Sequence, residues 1–143
     1  MMKRLHPVAG AIAMLLIASF WLSTVVSEVM ADPETVACVK RAILWALPVL
    51  ILSLILTGAS GFRQASKALL VQQKLRRMKI VAANGILVLL PSAILLDHLA
   101  AGGHFTRMFY TVQGLELAAG GVNLTLMVMN AQDGLRLSGR ITG

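Results

Sequence analysis

Apolar runs at about 7–26, 42–60, 80–96 and 108–129 divide the chain, and short polar joints separate them. A helix rises about 1.5 Å per residue, so ~20 residues cross a ~30 Å hydrocarbon core. Each run is close to that length, and none shows the alternation of a barrel strand. Backbone amides in lipid must be satisfied within their own segment, so the runs predict helices. The predicted fold is all-α: a four-helix transmembrane bundle, up-down-up-down, with spans at about 7–27, 41–61, 79–100 and 108–130. The longest connection, about 61–79, is too short for a core of its own, which makes 1–143 a single integral membrane domain.

Helical periodicity then orients the spans. At ~100° per residue, Gln113, Glu116, Gly120, Asn123, Met127 and Asn130 share one face of span 4. A carboxylate and amides are expensive in lipid, so that face turns inward. Asn84, Val88, Pro91, Leu95 and His98 align on span 3, and His6, Gly10, Ala13, Ile17, Phe20 and Thr24 on span 1. These three faces are expected to meet. Pro48 bends span 2 or is absorbed by packing, and Pro91 loosens span 3. The small cluster Thr57-Gly58-Ala59-Ser60-Gly61 admits a neighbouring helix or leaves room for a flat ligand. Trp21 reads as an interfacial anchor, Asp32-Pro33-Glu34 as a turn that starts a helix, and the tail after Asn130 as short, polar and frayed at its end. The basic stretch 62–77 is a surface amphipathic helix or an extension of spans 2 and 3.

Composition agrees with a bilayer: 57% of the residues are hydrophobic and 13% charged. A soluble domain of this length cannot hide so much apolar surface. The net charge of +7 matters through its placement. Lys3 and Arg4 precede span 1, Arg63, Lys67, Lys74, Arg76, Arg77 and Lys79 crowd the middle connection, and Arg136 and Arg140 lie in the tail. By the positive-inside rule both termini and the middle connection are cytoplasmic, and the basic excess meets anionic lipid. No stacking aromatics are interleaved with these bases, so nucleic acid is not an expected partner. Cys38 is the sole cysteine, which excludes an internal disulfide, and it reads as a small apolar residue. Lys3-Arg4, the first apolar run and Val29-Met30-Ala31 have the order of a cleavable secretory signal. That run exceeds a usual signal core, so a retained span is expected; cleavage would leave three.

The polar side chains fall at two levels. The inner level holds His6, Gly10, Gly58, Asn84, Gly85, Met127 and Asn130 beside Arg76, Arg77 and Lys79. The outer level holds Glu28, Asp97, His98, His104, Arg107 and Gln113, with Glu116 deeper. Histidines at span ends, glycines that admit a planar ring and nearby cations for propionates are the requirements of haem b, whose iron takes His with His or Met. His6 and Met127 lie at comparable predicted depth and are the axial candidates. Arg76, Arg77 and Lys79 would meet propionates, and Asn84 would hydrogen-bond inside the site. His98 and His104 are further candidate metal ligands, alone or with Asp97, although their spacing matches no zinc pattern. No P-loop, nucleophile elbow, HExxH or dinucleotide fingerprint occurs.

The leading expectation is therefore a small haem b protein for electron transfer or haem handling, with a redox or membrane-complex partner. A second is a non-enzymatic accessory subunit whose polar stripes, Asn123 among them, fasten helices together. A third is a proton-coupled carrier centred on Glu116, with Gln113 and Asn123 in its path and oligomerisation supplying room for a pore.

Leu5-His6-Pro7-Val8-Ala9-Gly10 and Arg76-Arg77-Met78-Lys79-Ile80-Val81-Ala82-Ala83-Asn84-Gly85 resemble a family of small bacterial membrane proteins without assigned function. The resemblance runs over most of the chain. It implies a four-helix fold and the bacterial inner membrane, and no activity. The architecture is also similar to four-helix b-type cytochromes, but their paired histidines have no matches here, so no ligand is carried over.

Overall fold

The computed structural model describes residues 2–63 and 69–139, nearly all of them helical. The elements are α1 (Met2–Met30), α2 (Pro33–Arg63), α3 (Leu69–Asn84), a π-helical turn (Gly85–Leu89), α4 (Leu90–Ala101) and α5 (Arg107–Leu137). The segment α3, the π-turn and α4 follow one another without a break, which gives four rods, each long and apolar enough to cross a membrane. The 31 residues of α2 or of α5 extend about 46 Å, beyond a ~30 Å hydrocarbon core and into the headgroup zone. The basic stretch from residue 69 onward is thus an extension of the third rod. Residues 64–68, with Lys67, and Arg140 lie outside the described residues.

Local chemistry sets the rod ends. Asp32 Oδ1 accepts the Thr35 N–H at 2.8 Å, and Pro33 opens the first turn of α2. That hydrogen bond holds the exposed Asp32 carboxyl below its ordinary range. At the end of α4 the chain reverses through Gly103, at φ +70°. There the His104 N–H reaches the Leu99 carbonyl at 2.8 Å and the Gly103 N–H that of Ala100 at 3.0 Å, closing a Schellman motif.

The rods pack as a square. α1 lies against α2 and α5, the third rod lies against the same two, and α1 stands diagonal to it. The inward faces expected for spans 1 and 4 are the observed ones: Ala13, Ile17 and Thr24 are buried on α1, and Gln113, Gly120, Asn123, Met127 and Asn130 on α5. On the third rod the expected face is displaced. Pro91 and His98 are exposed, while Ser92, Ala93, Leu96, Asp97 and Ala100 are buried. The cause is the π-turn, in which the Leu90 N–H reaches back to Gly85 O. One extra residue in that turn advances the inward stripe by one position. Pro91 follows directly and has no N–H to give to an α-register there.

Interior contacts correct several expectations. α2 continues through Pro48 as one helix. At the glycine-rich end of α2 a Cβ on Gly61 would lie 3.4 Å from the His6 ring, so that glycine admits a neighbouring helix, while nothing lies within 4 Å of a Cβ on Gly58. Trp21 turns inward, donating its indole N–H to Leu117 O at 2.9 Å beside Gly120, where a Cβ would come within 3.2 Å of the ring. The tail is helical to Leu137, with Asp133 buried against Arg77 at 2.5 Å. Two apolar layers result. One contains Ala13, Ile17, Leu47, Leu50, Val81, Ala93 and Met127, and the other, nearer the joints at 31–32 and 102–106, contains Val36, Leu96, Ala100 and Phe109.

Candidate functional site: a buried ion pair

Between those two layers lies a polar one. Lys40 falls on the α2 stripe Val36, Lys40, Ile43, Leu47, Leu50, all of it buried, about 10 Å along the helix from Pro33. Its side chain is 1% exposed. The Lys40 ammonium crosses the diagonal of the square to Glu116 Oε2 at 3.2 Å, and lies 3.5 Å from Thr24 Oγ1. Gln113, one turn before Glu116 on α5, donates its amide to the same Oε2 at 3.0 Å. Glu28, one turn beyond Thr24 on α1, interacts electrostatically with both Lys40 and Glu116. Helical spacing produces each neighbour: residues three or four apart share a face, so Thr24 with Glu28 and Gln113 with Glu116 present paired polar groups.

Apolar side chains flank this cluster on two sides. On the joint side stand Val36, Leu96, Ala100 and Phe109. On the other side is a cavity of about 60 Å³ lined by Ile17, Phe20, Trp21, Leu47 and Leu50, with Glu116 also at its wall. A second pair, Arg41 Nε with Asp97 Oδ1 at 2.7 Å, lies nearby on α2 and α4; Asp97 is buried and Arg41 largely exposed.

The other expected site residues are dispersed. His6 Nδ1 lies 3.1 Å from Thr57 O and 3.0 Å from Ser60 Oγ. A carbonyl can only accept, so Nδ1 carries the proton and Nε2 the lone pair. Met127 packs with Ala13 and Ile17 in the apolar layer. Ala13 is seven residues past His6, so the two expected axial ligands are offset by about 10 Å along the bundle. Arg77 is engaged by Asp133, and Arg76 and Lys79 are exposed on the outer surface of α3. The Asn84 amide donates to Ala119 O at 2.9 Å and Asn123 Oδ1 at 2.8 Å, and Asn123 donates to Val81 O at 3.2 Å. These two amides clamp the third rod to α5. His98 and His104 are exposed, and among the described residues no three His, Cys, Asp or Glu side chains converge on one point.

Lys40 is the candidate site residue that the charge pattern concealed, because it stands next to Arg41 near a span end. The signal that finds it is the stripe from Val36 to Leu50, which Lys40 interrupts at an inward position. No protein-family model, curated protein or solved structure matches this chain. Fold and site together define a multi-pass membrane protein with an ion pair shut inside its helices.

Proposed function

We propose that the protein is a proton-coupled carrier of the bacterial inner membrane whose working group is Glu116. The observation that carries this reading is the Lys40–Glu116 pair, held between two apolar layers. Ionisable groups inside a membrane protein are expensive and mark ion or proton pathways. Stability does not account for the pair, since apolar replacement of a buried ion pair is often neutral or stabilising by about 1–4 kcal/mol.

The bundle inserts up-down-up-down with both termini cytoplasmic, because exposed Arg4, Arg76 and Lys79 gather at the end opposite the two joints. Glu116 then lies in the outer half of the bilayer. While ionised, it holds Lys40 and the cluster stays closed. A proton taken up on the Glu116 carboxylate removes the counter-charge of Lys40, whose remaining anionic neighbour is Glu28. The ammonium turns to Glu28, Gln113 loses its anionic acceptor, and the contact joining α2 to α5 is released. In liposomes carrying a pH-sensitive dye, Glu116→Gln is expected to reduce proton flux at least ~10-fold, the scale of a lost proton-transfer group. Undiminished flux in the variant rules out Glu116, and absence of flux in the wild type favours an accessory subunit built on helix clamps such as Asn84–Asn123.

A second reading, haem b handled for electron transfer, has one specific support: the hydrogen bond to Thr57 O fixes the tautomer of His6 that leaves Nε2 to ligate. The arrangement supplies one ligand and not an axial pair with Met127. Under this reading, protein expressed with added haem shows a Soret band that His6→Ala abolishes. A colourless protein removes the reading.

A further inference from the structure

The cluster around Lys40 is one positive charge short. Glu28 and Glu116 contribute two carboxylates and Lys40 one ammonium, while Arg41 and Asp97 cancel each other across 2.7 Å. Glu28 and Glu116 are both partly buried, where a surplus negative charge is incompletely screened and favours a counter-charge. Two buried oxygens of the same cluster also have no hydrogen-bond donor, Glu28 Oε1 and Gln113 Oε1. Gln113 is 4% exposed, and its amide nitrogen is already committed to Glu116. Among the described residues its carbonyl oxygen has no hydrogen-bond donor.

We propose that Glu28, Gln113 and Glu116 bind one small monovalent cation of the sodium class, exchangeable with the proton. This deepens the carrier reading and rests on it for the transport role, though not for the binding. Carboxylate and amide oxygens are the ligands of hard cations, and neither orphaned atom is a nitrogen or sulfur that would select a softer metal. Charge decides the valence: one unit neutralises the cluster, whereas a divalent ion would leave it positive beside Lys40. Thr24 Oγ1, within 3.5 Å of the ammonium, adds a further oxygen at the same level. Proton and cation compete because both balance the same surplus charge, so entry of one expels the other.

The test uses the full chain in detergent and reads thermal unfolding at pH 8, with choline chloride replacing NaCl at constant ionic strength. Sodium is expected to raise the midpoint saturably by about 5 °C, the size expected for a ligand near ten times its Kd. KCl is expected to act more weakly. The isosteric Glu28→Gln removes the surplus charge and should abolish the sodium effect. Should that variant fail to fold, the wild type decides: at pH 6 the sodium-dependent rise should shrink as protons compete. An equal response to NaCl and choline chloride, a rise preserved in Glu28→Gln, or one unchanged between pH 8 and pH 6 overturns the cation site. The two readings fail separately. A sodium-dependent rise with Glu116-independent flux removes the carrier role of Glu116 and keeps the site, while Glu116-dependent flux without a sodium-dependent rise does the reverse.

Discussion

Lys40→Met is expected to destabilise the folded bundle by about 3–5 kcal/mol, the scale of a buried pair that loses one partner. The methionine fills much the same volume, so the loss comes from electrostatics and not from a cavity. Glu116 would keep the Gln113 amide as a donor, with apolar layers on either side. One further result separates this cause from a packing defect. Lys40→Met combined with Glu116→Gln removes both charges, and should recover most of the lost stability. Denaturant or thermal unfolding in detergent measures it. A loss shared undiminished by the double variant would mean that the Lys40 stem is a packing element.

The same pair shows where sequence and structure part. Membrane spans were legible because a ~30 Å apolar slab imposes length and composition on every helix crossing it. The inward stripe of α5 was legible because Glu116, Gln113 and Asn123 are too polar for lipid, and a regular helix carries that face along its whole length. Lys40 was hidden by its neighbour: Arg41 is solvated and Lys40 buried, and a run of two cations states only that both lie near a span end. Pairings across the bundle were beyond reach, since which polar residues meet depends on the relative rotation and height of four rods. The offset between His6 and Met127 is such a case, as is the capture of Arg77 by Asp133.

The third rod contains the one place where helical periodicity itself misleads, and it yields a discriminating experiment. Counting from Asn84 in a regular helix puts Pro91 and His98 inside; the π-turn moves the interior to Ser92, Ala93, Leu96, Asp97 and Ala100. An extra residue accommodated in a turn can be taken out again. Deleting Leu87, an exposed residue of that turn, together with Pro91→Ala to allow regular hydrogen bonding, should therefore leave the faces on both sides in place. The unfolding midpoint is expected to stay within about 5 °C of the wild type. Deleting Ile94, also exposed but beyond the turn, should do the opposite. It rotates the rest of α4 by ~100°, carrying Leu96 and Ala100 off Phe109 and Asp97 away from Arg41. That protein should aggregate, or melt more than about 15 °C below the wild type. Equal tolerance of the two deletions would show that lipid-facing slack, and not the register fixed at Gly85–Leu89, positions α4 over the buried charges.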